Sequence, residues 1–231
     1  MREIVLDTET TGLDPLDGHR LVEIGCIELI NGIPSGQTFH TYFNPERGMP
    51  AEAFAVHGLS EDFLKDKLFF AEVADDFIAF LGDAPLVIHN AVFDLGFLNA
   101  ELERAGRSPI GRERLVDTLL IARRKHPGGS NRLDDLCLRY GIDNSRRTKH
   151  GALLDAELLA EVYVELTGTR QAQLVLAQAS GTGRIAGEPI LIRTRPTPLM
   201  PALAAEERAA HRAFLAELGE TAIWLEYVSL G

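Results

Sequence analysis

The chain contains no long apolar run. No segment reaches the roughly 18 consecutive apolar residues that a membrane-spanning helix needs, so we expect no membrane span. Carboxylates at Glu3 and Asp7 interrupt the first apolar residues, which argues against a secretory signal. The two cysteines, Cys26 and Cys137, are too few and too far apart for a disulfide framework or a metal knuckle. These absences predict a cytoplasmic protein.

A surplus of positive charge is also missing. The sequence has 34 acidic and 23 basic residues, a net charge of −11, which argues against tight nonspecific nucleic-acid binding by charge alone. The charges are unevenly distributed, because residues 104–149 hold 12 bases and 5 acids whereas residues 1–103 hold 5 bases and 19 acids. The simplest interpretation of this basic stretch is a solvated helical face.

The 231 residues, 45% of them apolar, are typical of one globular domain with additional length. Hydrophobic periodicity predicts strands at 3–8, 21–31, 36–43 and 85–88, and helices at 71–82, 93–105, 117–125, 133–140 and 151–166. Asn31-Gly32 predicts a hairpin, with a loop of more than two residues. Three consecutive strands followed by alternating helices and strands indicate an α/β fold with a mixed central sheet flanked by helices.

The chain after about residue 168 has a different composition. Glycine and proline are frequent at 179–201, which is typical of a linker. An amphipathic helix is predicted at 203–218, and an apolar segment with Trp224 follows it. This tail is too short to bury a core of its own.

Asp7 and Glu9 stand two residues apart at the end of the first predicted strand. Strand alternation places both side chains on the same face. Adjacent carboxylates repel each other unless cations occupy the site, and hard divalent cations prefer oxygen ligands. The alternative is an ordinary strand-ending turn, because Thr10-Thr11-Gly12 follows.

Two further acids begin helices. Asp94 falls in the first turn of a predicted helix, where the helix dipole favours a carboxylate in any protein. Asp155 lies one turn inside the helix that follows His150, and its ordinary interpretation is a solvated helix acid. Each residue by itself has a structural explanation.

The three segments together change this interpretation. They read Asp7-Thr8-Glu9-Thr10-Thr11-Gly12-Leu13, His89-Asn90-Ala91-Val92-Phe93-Asp94 and His150-Gly151-Ala152-Leu153-Leu154-Asp155. In this order they resemble the motifs of the DEDDh exonucleases, which implies an RNase H-like exonuclease fold. Segments 122–128, 136–140, 142–145 and 147–150 are similar to the family of proofreading epsilon subunits of bacterial DNA polymerase III. That resemblance implies a 3′→5′ DNA exonuclease that removes mispaired 3′-terminal nucleotides.

The resemblance also implies a set of catalytic roles. Asp7 would bridge two divalent metal ions, Mg²⁺ or Mn²⁺, which suit carboxylates better than Zn²⁺ does. Glu9 and Asp155 would help hold the metal that carries the attacking water, and Asp94 would support the second metal. His150 would accept the proton of that water as general base.

Substrate contacts are implied for Thr8, His57 and Asn90. His57 belongs to a Val-His-Gly-Leu segment that recurs in the family near the 3′-terminal nucleotide, and an ordinary loop histidine is the alternative. Asn90 either contacts a phosphate or fixes the turn before Asp94. Asp117 is expected to cap a helix.

Two partner sites are predicted in the second part of the chain. Segment 171–176 has the form Gln-x-x-Leu-x-Leu and resembles the peptides that dock on the sliding clamp, with Gln171, Leu174 and Leu176 as contacts. The apolar tail, including Phe214 and Trp224, would bind the polymerase catalytic subunit. The expected organisation is therefore an exonuclease domain at 1–169, a clamp-binding-like motif at 170–178, a linker at 179–201 and a polymerase-binding tail at 202–231.

Two alternative functions remain open at this stage. A DEDDh exoribonuclease acting on RNA 3′ ends or short oligoribonucleotides would carry the same catalytic residues, but it would not need a clamp-like motif and a long tail. A non-catalytic scaffold that tethers the polymerase is disfavoured because all five catalytic-type residues are present.

Overall fold

A computed structural model of the chain describes residues 1–168 and 204–217. Its strands are β1 (Arg2–Thr10), β2 (Leu21–Ile30), β3 (Ile33–Tyr42), β4 (Leu86–Ile88) and β5 (Leu115–Asp117). Its α-helices are α1 (Ala51–His57), α2 (Glu61–Leu64), α3 (Phe70–Leu81), α4 (Ala91–Arg104), α5 (Thr118–Lys125), α6 (Leu133–Tyr140), α7 (Ala152–Thr167) and α8 (Ala205–Glu217). Residues 1–168 belong to one compact unit, and α8 belongs to another.

The strands form one mixed sheet in the order β3-β2-β1-β4-β5. Strands β1, β2 and β3 are antiparallel neighbours, whereas β4 runs parallel to both β1 and β5. The sheet is covered by helices on both faces, which explains why the central strands are apolar almost throughout. The predicted fold class, a mixed sheet flanked by helices, is confirmed.

Side-chain alternation along β1 divides its residues between two cores. Ile4 and Leu6 pack with residues of α3 and α4 on one face. Val5 packs with residues of α5, α6 and α7 on the other face. Continuing this alternation places Asp7 and Glu9 toward the α7 face and Thr8 toward the α4 face.

The first hairpin is tighter than the sequence predicted. Ile30 pairs directly with Ile33, so the loop consists of two residues, Asn31 and Gly32. Both have positive φ, 53° and 77°, as the favoured two-residue hairpin turn requires. The prediction of a longer loop was wrong because β3 begins three residues before the predicted start.

Periodicity did not predict α1, α2 or β5. Helices α1 and α2 have seven and four residues, which is too short for a helical period to be recognised. Strand β5 has three half-buried residues, whereas the equally short β4, which was predicted, is a fully buried apolar run. Asp117, at the end of β5, accepts hydrogen bonds from the backbone N–H groups of Leu119 and Leu120 and so caps α5 as expected. It also accepts one from the N–H of Ala91, 3.2 Å away, and thereby holds the start of α4.

Helix α8 lies within the predicted helix 203–218 and exposes Phe214, which is 55% accessible. The predicted linker lies outside the described residues. So do most of the tail, including Trp224, and the clamp-like motif with Gln171, Leu174 and Leu176. Among residues 1–168 and 204–217, no helix has the length and apolar character needed to cross a membrane.

Candidate active site

Three chain segments meet at one cleft of about 620 Å³ in the first unit. They are the end of β1, the first turn of α4 and the loop that leads into α7. The cleft is lined by all five predicted catalytic residues, which are Asp7, Glu9, Asp94, His150 and Asp155. The fold therefore brings together residues that are up to 148 positions apart in the sequence.

Thr8 connects the end of β1 to α4. Its side chain is buried, and its hydroxyl donates a hydrogen bond to Oδ1 of Asp94 over 2.7 Å. Asp94 is itself buried in the first turn of α4. The Thr8 hydroxyl thus orients Asp94, a structural role that the sequence prediction of a substrate contact did not include.

Gly25 allows α7 to approach the sheet. It lies opposite Asp7 in the β1–β2 pairing. A Cβ atom at this position would lie 2.2 Å from the backbone nitrogen of Leu153 and 2.4 Å from the carbonyl oxygen of Ala152. The first turn of α7, which carries Asp155, can rest here only against a glycine. The sequence analysis does not identify Gly25, although a glycine inside a strand often marks close backbone contact.

Asp155 is held by Arg147. The guanidinium Nε and Nη2 lie 2.5 and 2.6 Å from the two carboxylate oxygens of Asp155, which is a bidentate contact. The Asp155 side chain is only 3% exposed, so its interpretation as a solvated helix acid was wrong. The sequence analysis places Arg147 in a basic stretch and in a segment that resembles the epsilon subunits, but it does not predict the contact with Asp155.

His150 lies at the mouth of the cleft with 47% of its side chain exposed. Its Nδ1 is 3.2 Å from Oδ2 of Asp155. Its loop is attached to α1, because the His150 N–H bonds the carbonyl of Val56 and the Lys149 ammonium bonds the carbonyl of Ala55. Helix α1, which the sequence did not predict, therefore positions the histidine.

Burial and mutual repulsion shift the carboxyl groups of β1 and α4. Burial, followed by the charges of Asp94, Glu9 and Asp155, raises the pKa of Asp7 well above its usual value. Burial and the charges of Asp155 and Glu23 raise the pKa of Glu9 to about 8. Burial raises the pKa of Asp94 to about 7, although the hydrogen bond from Thr8 opposes this. In all three groups burial is the largest cause, so a cation in the cleft would stabilise the ionised carboxylates.

Asp155 shifts in the opposite direction. Burial alone would raise its pKa, but the hydrogen bonds from His150 and Arg147 lower it below the usual value. Ligand atoms of Glu9, His150 and Asp155 lie within 4.8 Å of one another, a spacing at which one cation can contact all three. Buried carboxylate oxygens with excess negative charge fit a hard divalent cation.

His57 and Asn90 lie outside this carboxylate group. His57 is buried in the wall of a neighbouring cavity of about 520 Å³ that also contacts Glu9. Its Nδ1 accepts a hydrogen bond from the Leu59 N–H, and its Nε2 has no partner within the described part of the chain. Asn90 is exposed with a φ of 69°, and its side chain makes no capping hydrogen bond.

Comparison with known proteins agrees with this geometry. Residues 4–163 match the family described as "Exonuclease". The chain belongs to this exonuclease family. Within the family, it is 49% identical over 226 residues to DNA polymerase III subunit epsilon of Rickettsia felis, covering 96% of this chain and 99% of the relative. This exonuclease is also 45% identical over 224 residues to DNA polymerase III subunit epsilon of Escherichia coli K12, covering 93% and 92%.

Solved structures with a similar fold extend the comparison. Exonuclease X in complex with 5′ overhanging duplex DNA superposes with a TM-score of 0.58 at 25% identity, covering 72% of our exonuclease and 91% of that chain. A 3′-exonuclease solved with a histone mRNA stem-loop has a TM-score of 0.62 at 18% identity, covering 72% and 81%. The latter shows the fold alone. The predicted exonuclease family, including its epsilon-type relatives, is confirmed.

Proposed function

We propose that this exonuclease removes mispaired nucleotides from DNA 3′ ends as the proofreading subunit of a bacterial replicative polymerase. The observation that carries the proposal is the convergence in a single cleft of three buried carboxylates, the half-buried Asp7 and one accessible histidine. The high identity to epsilon subunits, over nearly their full length, favours DNA over RNA as the substrate.

Asp7, Glu9 and Asp155 would hold one divalent cation, and Asp7 with Asp94 a second, as Mg²⁺ or Mn²⁺. When bound, such cations supply charge stabilisation at the reacting phosphate and at the leaving 3′ oxygen. Asp7 would serve both positions, since the charges of Asp94, Glu9 and Asp155 all act on its carboxyl group. Thr8 contributes by fixing the orientation of Asp94.

His150 would accept the proton of the attacking water. Its imidazole is accessible at the cleft mouth and lies beside Asp155, so it can reach a water molecule held near that carboxylate. Histidine suits a general base at neutral pH.

The terminal nucleotide would enter the cavity that contains His57. Val56, Pro50 and Leu13 contribute apolar surface to its wall, which suits an unstacked base. The phosphates upstream would follow Arg123 and Arg132, whose exposed side chains line the carboxylate cleft. Because Asn90 is exposed near the start of α4, we retain it as a phosphate contact.

The test uses the full chain and duplexes labelled at the 5′ end of the primer strand. Mispaired and single-stranded 3′ ends should be shortened faster than paired ends, because pairing adds the cost of unpeeling the terminal nucleotide. Asp7→Asn should abolish the divalent-metal-dependent reaction, whereas Asp62→Asn, at a fully solvated position, should not. Equal rates on paired and mispaired ends, with chemistry limiting, would contradict proofreading. Faster hydrolysis of RNA of the same sequence would favour the exoribonuclease.

The second part of the chain would attach the nuclease to its partners. Phe214, exposed on α8, together with Trp224 would contact the polymerase catalytic subunit, while Gln171, Leu174 and Leu176 would contact the sliding clamp. A chain ending at Thr169 should hydrolyse single strands but no longer co-purify with the polymerase. Replacing Leu174 and Leu176 should weaken only clamp binding. Full polymerase affinity of the shortened chain would contradict the tail's role.

A further inference from the structure

Arg147 is the centre of an ion network that the catalytic roles above do not explain. Its side chain is only 7% exposed. Besides its bidentate contact with Asp155, its Nη1 lies 2.6 Å from Oδ2 of Asp134 on α6. Its Nη2 lies 2.6 Å from Nδ1 of His150. One guanidinium thus connects α6, α7 and the histidine loop.

The same guanidinium occupies the atoms that a cation would need. Both carboxylate oxygens of Asp155 accept from Arg147. Asp155 also belongs, with Glu9 and His150, to the group whose ligand atoms lie within 4.8 Å of one another. A divalent cation in this group and the guanidinium would compete for Asp155, and their positive charges would repel each other.

We propose that Arg147 is the internal counter-cation of the metal site and that a divalent cation must displace it from Asp155 in order to bind. This inference rests on the proposed role of Asp155 as a metal ligand. Asp134 provides the partner that keeps the displaced guanidinium, since it is half-exposed and already bonded to it. Asn144 fixes Asp134 from the other side, with Nδ2 2.9 Å from Oδ1.

The displacement sets the metal affinity. In the metal-free protein, Arg147 neutralises a buried carboxylate that would otherwise lack a cation, so the loop carrying His150 stays attached to α7. Metal binding must break this contact, which lowers the apparent affinity. Arg147 therefore stabilises the metal-free protein and at the same time weakens metal binding.

The decisive variant is Arg147→Gln in the full chain. Titration with Mn²⁺ or Mg²⁺ by calorimetry should show an affinity tightened by about tenfold or more, because one competing charge beside the metal has been removed. The melting temperature of the metal-free protein should fall. Arg146→Gln is the matched control, since it removes the same charge at the neighbouring position. The Arg146 side chain is 72% exposed, and its Nη2 lies 3.5 Å from Oε2 of Glu157. This variant should leave the affinity unchanged.

Two additional variants keep the test decisive. Arg147→Lys, which retains the charge but cannot bridge both Asp155 oxygens, should tighten the affinity by less than Arg147→Gln, and it serves as the main variant if the glutamine protein does not fold. Asp134→Asn should weaken metal binding in the parent but have no effect in the Arg147→Gln background.

The proposal is overturned if the folded Arg147 variants bind metal with unchanged or weaker affinity. Arg147 would then have a purely structural role, and its variants should lose equal stability in the metal-free and metal-loaded proteins. That result differs from a failure of the proposed function. If the parent chain itself binds no divalent cation, the metal-dependent mechanism is wrong. If the parent binds metal and hydrolyses DNA while Arg147→Gln binds metal with parental affinity, only the counter-cation role is wrong.

Discussion

The two halves of the cleft carry the same kind of side chain in opposite electrostatic conditions. On the β1–α4 half, burial raises the pKa values of Asp7, Glu9 and Asp94. On the α7 half, the hydrogen bonds of Arg147 and His150 lower the pKa of Asp155 despite its burial. No ion pair within residues 1–168 or 204–217 includes a carboxylate of the first half.

This difference shows that residue type and burial do not determine the charge state of a site carboxylate. Glu9, Asp94 and Asp155 are buried, Asp7 is half-buried, and all four acids line the same cleft. What separates them is whether a cation from the chain itself reaches them. The first half is therefore the part of the site that a metal would stabilise most, and the second half is the part where a metal has a competitor.

The largest effects are expected when one carboxylate in either half of the cleft is replaced. Asp7→Ala and Asp155→Ala should both nearly abolish 3′-end hydrolysis. Without metal, Asp7→Ala should melt at the same or a higher temperature, because repulsion is removed, whereas Asp155→Ala should melt lower because Arg147 loses its buried partner. Thermal melting in a chelator measures both, and parallel shifts of the two variants would contradict the electrostatic distinction.

His150→Gln tests the accessible side of the α7 half. As general base, His150 should contribute on the order of 10²–10⁴-fold to the rate. Metal affinity should remain close to that of the parent, since the carboxylates supply most of the ligands. Single-turnover rates at saturating Mn²⁺ measure the effect, with His126→Gln, a surface-loop change outside the cleft, as the control. If the variant reacts at the rate of the parent chain, His150 is not the general base.

Gly25→Ala should disturb the distance between the two halves without removing any charge. The added methyl group would meet the backbone of Leu153 and Ala152, so α7 must move away from β1. A displacement of about 1 Å at a catalytic group can cost roughly 10²-fold in rate. Gly96→Ala is the control, because its added Cβ has no neighbour nearer than 4.0 Å. If Gly25→Ala hydrolyses DNA at the parental rate, this close packing is not required.

The smallest expected effect is a dependence of stability on pH. Because the pKa of Glu9 rises from 4.5 to about 8 on folding, the folded protein binds more protons than the unfolded chain between those values. The free energy of unfolding of the metal-free protein should therefore fall as pH rises from about 4.5 to about 8. Glu9→Gln should reduce this pH dependence in chelator without removing it, because the pKa values of Asp7 and Asp94 are raised as well. Mn²⁺ should counteract the loss of stability at higher pH. A metal-free stability independent of pH would contradict the raised pKa.

The principal helices and strands were predictable from local sequence pattern. The long helices and the first strands followed from hydrophobic periodicity, since each is long enough to repeat its period several times. The five catalytic-type residues were predictable because they belong to three short motifs that occur in the order typical of the family. Within each motif the residues are separated by only a few positions. Asp117 as a helix cap was likewise predictable, since a cap depends on the next three residues.

How these residues act on one another depends on contacts that form only in the folded chain. Arg147 meets Asp155 and Asp134 through a folded loop, and no local period marks an arginine that will be buried. Gly25 matters because α7 crosses β2 at that point, a contact between residues more than 120 positions apart. The chain thus encodes the chemical groups of the site locally, whereas their charge states depend on long-range packing, because burial and ion pairing arise only when distant segments meet.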